Sequence, residues 1–191
     1  MNDEQFTRSH VITLMITSLI GTGFGAGWWF SGATAVSGGT ALVVLGVVIA
    51  VFLAGWALRF GRSGGQLPAG GGRESSPFGR KYGIAVLLMV VGIFAGSRLL
   101  TVLELPQAVP AWVLFAVGVH FVPFVKIFGS TRYLSLAALL CGAGVLAAVL
   151  GAAGLDWAWR LVPGFGGAAV LWGTVVAGLL DGQKLVARQN A

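Results

Sequence analysis

Two ionisable side chains inside long apolar stretches are the strongest candidates for chemistry in this sequence. Arg98 lies six residues before Glu104, so it sits about 9 Å below the end of a predicted helix at 1.5 Å per residue. It is placed to hold an anionic group, or to pair with Glu104 or Asp156. The alternative is that its long stem carries the charge to the interface. Ionisable groups inside apolar spans are costly and mark functional sites by default.

His120 is the second candidate, within the stretch GVHFVPFVK from Gly118 to Lys126. Pro123 has no N–H group, so the carbonyl near Val119 is predicted to lose its usual helical donor. A freed carbonyl beside an imidazole makes a polar site or a proton relay, because histidine titrates near neutral pH. The alternative is a neutral histidine that hydrogen-bonds across helices and only supports packing.

His10 and Asp181 are the third candidate, near the ends of the first and last apolar runs. They would pair if those two ends meet; the alternative is that both lie among lipid headgroups. Enzyme motifs are missing, since the sequence has no H-E-x-x-H, no Walker loop and no G-x-S-x-G. Two histidines and the single Cys141 cannot build an ordinary metal site. We therefore expect no catalytic residue, no metal and no cofactor.

The composition indicates the solvent in which the chain folds. Of 191 residues, 57% are hydrophobic and 9% are charged, whereas soluble domains carry about 25% charged residues. The bilayer must therefore be the solvent. The net charge of +6 favours cytoplasmic loops that face anionic lipid. It does not indicate nucleic acid, because no basic face with interleaved aromatic residues lies outside the apolar runs.

Six apolar runs approach the roughly 20 residues that a helix needs to cross a bilayer. They cover about 11–30, 40–58, 83–103, 111–127, 133–154 and 165–180. Lys and Arg favour the cytoplasmic side, and ten of the twelve lie on the predicted inner side, against Arg98 and Arg160 outside. The prediction is an all-α integral membrane protein. It is one transmembrane domain, 1–191, a bundle of six transmembrane helices with both termini inside (N-in/C-in).

The basic segment 59–82 is rich in Gly, Ser and Pro, which is typical of a flexible linker. We expect it to be a cytoplasmic loop that contacts anionic lipid or a partner, or else a solvated linker. Along the predicted helices, small or polar residues recur at three- or four-residue steps. They include His10, Thr13, Thr17, Gly21 and Gly25 in the first run and the G-x-x-x-G pair Gly92 and Gly96 in the third. Such stripes predict closely packed helices.

The stretch GVHFVPFVKIFGSTRYLS, 118–135, resembles the fourth-span signature of an uncharacterised family of small multi-pass bacterial membrane proteins. The matching residues are Gly118, His120, Pro123, Lys126 and Tyr133. The resemblance covers about a tenth of the chain and implies a bacterial inner-membrane location. In size and number of spans the chain is also similar to the substrate-binding subunits of energy-coupling vitamin transporters, an analogy of architecture that carries no motif.

The leading hypothesis is a protein that binds or transports a small molecule in the bacterial cytoplasmic membrane, alone, as a homo-oligomer or as a subunit. Its site would lie near Arg98 on the outer side or His120 on the inner side. The alternative is a non-transporting accessory subunit that binds a membrane partner. An outward-facing G-x-x-x-G surface would favour that alternative, and small faces that all point inward would count against it.

Overall fold

The fold consists of helices joined by short turns. The computed structural model describes residues 6–68 and 78–189, and it contains no strand within these ranges. The α-helices of the described ranges are α1 (Arg8–Ala33), α2 (Thr40–Ser63), α3 (Arg80–Val102), α4 (Val109–His120), α5 (Phe124–Phe128), α6 (Arg132–Ala152), α7 (Ala158–Leu161) and α8 (Gly167–Gln189). Short 3₁₀ turns lie at Gly64–Gln66 and Pro106–Ala108, and a π-helical turn at Val162–Gly166 joins α7 to α8.

Five helical segments are long and apolar enough to cross a membrane: α1, α2, α3, α6 and the stretch from α7 to α8. The all-α membrane fold is confirmed at this level. The fourth apolar run, 111–127, is instead divided between α4 and α5, of 12 and 5 residues. A 12-residue helix is about 18 Å long, short of the ~30 Å hydrocarbon core. The sixth crossing and the N-in/C-in orientation therefore stay predictions.

The basic segment predicted as a loop at 59–82 is partly helical. Residues 59–63 form the last turn of α2, and residues 80–82 form the first turn of α3. Residues 69–77, including Arg73, lie outside the described ranges. The connection between the two helices is therefore shorter than the segment that the composition indicated.

Two buried apolar clusters hold the bundle together. In the first, α1 lies between α2 and α8, with Leu53, Trp172 and Leu179 in its core. In the second, α4 packs against α6 around Leu114 and Leu140. The helix α3 packs mainly on α4. The helices therefore follow the order α2, α1, α8, α6, α4, α3 across the bundle.

The helix ends that carry most of the basic residues meet at one end of the bundle. The Arg8 N–H donates to the Pro68 carbonyl at 3.0 Å, which brings the start of α1 to the end of α2. Arg132, at the start of α6, forms an ion pair with Asp181 of α8. We call this the basic end. Nine of the eleven Lys and Arg residues in the described ranges belong to it, and the others are Arg98 and Arg160.

Tryptophan side chains from one helix cover glycines of the next. Three such pairs are Trp172 over Gly25, Trp29 over Gly46 and Trp112 over Gly96. A Cβ atom on any of these glycines would lie 2.2–2.4 Å from an indole atom. Each indole N–H also donates to a carbonyl three or four residues before its glycine, namely Thr22 at 3.1 Å, Leu42 at 2.7 Å and Gly92 at 3.2 Å.

The helix geometry explains why each covered glycine is preceded, one turn earlier, by a carbonyl that accepts the indole N–H. A helical side chain leans toward the N-terminus and covers the preceding turn, so a glycine leaves the carbonyl one turn earlier uncovered. The indole fills that space and bonds that carbonyl. The small-residue stripes thus pack chiefly against aromatic rings. Direct backbone contact occurs where Gly164 crosses Gly32, since a Cβ on Gly164 would lie 2.5 Å from the Gly32 Cα.

Candidate functional site

Aromatic rings from α3, α4, α5 and α6 meet near the basic end. We call this group the inner aromatic cluster, and it comprises Phe78, Tyr82, His120, Phe121, Phe124, Phe128 and Tyr133. Phe124 is at its centre and is 4% exposed. Its ring centroid lies 5.2 Å from that of Tyr82, 5.0 Å from that of His120 and 5.8 Å from that of Tyr133. Phe124, from α5, therefore contacts rings from α3, α4 and α6.

The break in the fourth apolar run positions this cluster. The α-helical pattern ends at His120, and residues 121–123 form a tighter turn before α5 begins at Phe124. The Phe121 N–H bonds the Gly118 carbonyl at 3.1 Å, three residues back, where an α-helix would use Val117. Pro123 lacks the N–H group that a regular helix would use here, so the single helix predicted for 111–127 is interrupted. The turn directs Phe121 and Phe124 to one side, where they meet Tyr133.

The carbonyl that loses its helical donor differs from the one expected. The Val119 carbonyl, which was predicted to be free, accepts the Val122 N–H at 3.1 Å. The Val117 carbonyl accepts instead from Nδ1 of His120. The reason is that the chain tightens from α-helical to 3₁₀-like bonding one turn before the proline, so the vacancy moves back along the helix.

The bond between His120 and Val117 fixes the chemistry of the imidazole. A carbonyl oxygen only accepts, so Nδ1 carries the proton. In the neutral ring the lone pair is then on Nε2, which is available to accept from a ligand or to take up a proton. The ring is half-buried and lies against Phe121, with centroids 4.2 Å apart, and against Phe124. The site therefore offers one polar nitrogen among apolar rings.

Three cationic residues are close in sequence to members of the cluster. Lys81 precedes Tyr82, Lys126 follows Phe124 by two residues and Arg132 precedes Tyr133, and all three side chains are exposed. Arg132 is paired with Asp181, which also accepts from Lys184 at 3.4 Å. The surroundings of the cluster therefore favour a ligand with negative charge.

His10 and Asp181 have different partners in the structure. Asp181 pairs with Arg132 and Lys184. His10 caps the start of α1, where its Nδ1 accepts the Thr7 N–H at 3.2 Å. The two helix ends do meet, as the pairing hypothesis required, because Gly182 of α8 packs against α1. The Asp181 carboxylate is instead paired with the guanidinium of Arg132, which belongs to α6.

Arg98 and Glu104 lie at the opposite end of the bundle. The Arg98 side chain is exposed on α3 and forms no ion pair with any described residue, Glu104 and Asp156 included. Glu104 follows the end of α3 with φ of 59°, the left-handed region that favours glycine. Its N–H bonds the Thr101 carbonyl at 3.2 Å, and the Leu105 N–H bonds that of Leu100 at 2.8 Å, a Schellman motif. Arg98 and His120 therefore lie toward opposite ends of the bundle and do not form one site.

Two cavities among the described residues are shallow and open. One, of about 310 Å³, lies between α2 and α8 at the basic end and is lined by Arg59 and Gln183. The other, of about 330 Å³, lies between the end of α1 and the start of α2, beside Thr34 and Thr40. Neither of them includes His120 or Arg98.

The sequence carries a further signal for the cluster besides His120 and Pro123. Phe121, Phe124 and Phe128 recur at steps of three and four, which places them on one helical face. Phe78 and Tyr82 do the same at the start of α3. No group of three or more His, Cys, Asp or Glu side chains in the described ranges is placed to share a metal ion.

The apolar helices and the charge at one end define a multi-pass membrane protein. The chain is 33% identical over 102 residues to a "Putative transport protein" of Actinobacillus pleuropneumoniae serotype 5b (strain L20), and equally to that of serotype 3 (strain JL03). The match covers 50% of this chain and 17% of each relative, so the chain spans about a sixth of their length. No family model matches, and no solved structure is significantly similar. The resemblance in 118–135 stays a prediction.

Proposed function

We propose that this protein binds or transports a small molecule across a bacterial cytoplasmic membrane. The observation that carries the proposal is the interrupted helix at 121–123 with His120 bonded to the vacated Val117 carbonyl. Non-helical backbone at membrane depth is tolerated where it is buried in protein or lines a cavity. Transporters place substrate sites at such interruptions. The similarity to transport proteins supports the same class.

The chemistry of the site suggests the kind of molecule. Aromatic faces suit an apolar or aromatic body, and Nε2 of His120 accepts one hydrogen bond from a donor group on the ligand. The nearby Lys126 and Arg132 favour a negative group on the side of the basic end. We infer an organic anion with an apolar body. Entry requires the rings around Phe124 to separate, as in the μs–ms gating motions of many binding proteins.

The proposal includes six crossings with both termini in the cytoplasm. The fourth crossing would be the α4–α5 segment, about 20 residues from Val109 to Phe128. The basic end would then face the cytoplasm, in keeping with the preference of Lys and Arg for that side. Cysteine labelling tests this in whole cells, in a variant with Cys141→Ala. A cysteine at Ser130 should be protected from an impermeant maleimide, and a cysteine at Gln107 should react.

The accessory-subunit alternative is favoured by one feature of α1. Gly23 and Gly27 form a G-x-x-x-G pair that is exposed and has no atom within 4 Å of a built Cβ. The pair noted in the sequence, Gly92 and Gly96, does not serve this purpose, because Trp112 covers Gly96 from within the bundle. Cross-linking between cysteines at Gly23 in native membranes would reveal a self-associated form, and pull-down of a different membrane protein would reveal a partner.

A thermal-shift screen of the purified full-length protein tests the binding proposal. Panels of organic anions, organic cations and neutral compounds of similar size are compared at equal concentration. We expect stabilisation by members of the anion panel. His120→Ala should lower the affinity for the best compound about two- to tenfold, the value of one neutral hydrogen bond from a donor on the ligand to Nε2.

Arg160→Ala is the matched control, because Arg160 is exposed at the opposite end. It should bind the same compound as the unmodified protein does. Equal loss of affinity in both variants would show that His120 is not at the site. Stabilisation by none of the three panels, together with a co-purifying membrane protein, would move the assignment to the accessory subunit.

A further inference from the structure

The cavity between α2 and α8 at the basic end has the features of a lipid headgroup site. Its floor is apolar, with Phe60 2% exposed and Val186 7% exposed. Its polar lining includes the guanidinium of Arg59 and the amide of Gln183, both of which donate hydrogen bonds. A volume of about 310 Å³ is at the lower end of the 300–1,000 Å³ of ligand pockets. The cavity therefore suits one compact, hydrogen-bond-accepting group.

The charge around this cavity is unbalanced. Arg59 and Arg62 form no ion pair with any described residue. Asp181 is the one carboxylate at the basic end within the described ranges, and it is paired with Arg132 and Lys184. A guanidinium recognises phosphate oxygens through two parallel N–H groups. An anion at Arg59 would balance this charge, and a phosphate matches the geometry of the guanidinium.

The surface below Arg59 indicates what is attached to that phosphate. Gly55, Phe52 and Val48 lie four, seven and eleven residues before Arg59, which places them on the same face of α2. Phe52 is 65% exposed and Val48 is 59% exposed. Gly55 has no atom within 4 Å of a built Cβ, so it leaves a depression directly below the arginine. An acyl chain would lie in this apolar lane with its headgroup at the cavity.

We propose that the cavity between α2 and α8 binds one anionic phospholipid, with the phosphate on Arg59 and an acyl chain along the exposed face of α2. The site is separate from the inner aromatic cluster, which α3 to α6 build. The proposal is also more specific than a general attraction of the basic end for anionic lipid, because it predicts one bound lipid molecule that depends on one arginine.

Native mass spectrometry of the full-length protein tests the proposal. The protein is reconstituted in nanodiscs of mixed phosphatidylglycerol and phosphatidylcholine and is then released in detergent of increasing strength. We expect one phosphatidylglycerol to be retained after phosphatidylcholine is lost. Arg59→Gln should weaken its retention at least about tenfold, since a hydrogen bond to a charged group is broken.

Two further variants separate the cavity from charge alone. Arg160→Gln removes the same charge at the opposite end and should retain the lipid. Ala187→Phe keeps every charge and fills the cavity, so it should lose the lipid as Arg59→Gln does. Circular dichroism confirms that each variant is folded; if Ala187→Phe is not, Gly55→Phe blocks the acyl lane instead.

Three results would overturn the proposal. Equal retention of phosphatidylglycerol and phosphatidylcholine would remove the requirement for an anion. Equal loss in Arg59→Gln and Arg160→Gln would reduce the effect to net charge. Displacement of the lipid by millimolar inorganic phosphate, with phosphate retained in its place, would identify free phosphate as the ligand rather than a lipid headgroup.

Discussion

Replacing Gly25 by alanine should destabilise the bundle, because its new Cβ would lie 2.4 Å from Nε1 and 2.5 Å from Cδ1 of Trp172. Trp172 is 6% exposed and donates to the Thr22 carbonyl, so the indole cannot move without breaking that bond. Overpacking of a well-filled core costs about 1–3 kcal/mol. The lost hydrogen bond costs about 0.6 kcal/mol in a membrane protein. The better helix propensity of alanine offsets up to about 1 kcal/mol.

The net expectation is a loss of about 1–3 kcal/mol in the free energy of unfolding. Reversible unfolding in mixed micelles with increasing SDS, followed by circular dichroism, measures it. Gly27→Ala is the matched control in the same helix, because no atom lies within 4 Å of its built Cβ. It should leave stability unchanged or raise it by up to about 1 kcal/mol.

A double mutant tests whether the indole is the cause. Trp172→Phe removes the N–H and shortens the ring, so Gly25→Ala should cost less in that background than alone. A coupling of at least about 0.5 kcal/mol is expected for residues in contact. Equal effects of Gly25→Ala and Gly27→Ala, or strictly additive effects in the double mutant, would refute the idea that Gly25 makes room for the indole ring.

Two further predictions concern the end of α3 and the inner aromatic cluster. Glu104→Gly should stabilise the protein by about 0.5–1 kcal/mol, because glycine adopts the left-handed φ without strain. Gly154→Ala should be destabilising by about 1 kcal/mol, since Gly154 follows the end of α6 with φ of 89°. The same SDS titration measures both variants, and no gain in Glu104→Gly together with no loss in Gly154→Ala would refute the strain. Phe124→Ala should cost about 3–5 kcal/mol. Phe52→Ala, at 65% exposed, should cost much less, and equal losses would show that Phe124 does not hold the cluster.

The general architecture was predictable because it depends on sums over many residues. Span length and apolar content predicted six crossings, and five of them correspond to helices long and apolar enough to cross a membrane. The counted charges identified the end of the bundle where the basic residues meet. These features require no knowledge of which helix lies beside which.

The pairing of side chains was not predictable in the same way. The position of Trp29 near the end of an apolar run favours an interfacial anchor, but its N–H bonds Leu42 and its ring covers Gly46. That contact needs the crossing point of α1 and α2, which a single sequence does not specify. The same holds for Phe124, whose partners come from α3 and α6. The partner of Asp181 depended on a third helix, α6, beside the two that carry the predicted pair.

The packing of α8 on α1 has a consequence for how the chain is made. Trp172 and the carbonyl that it bonds, that of Thr22, are 150 residues apart in sequence. At translation rates of 5–20 residues per second, α1 waits about 8–30 s in the bilayer before its last neighbour is synthesised. Throughout that interval the glycine-lined side of α1 lacks its cover. Membrane insertases and quality-control proteases could recognise this surface, so a truncated chain without α8 should be degraded in the cell.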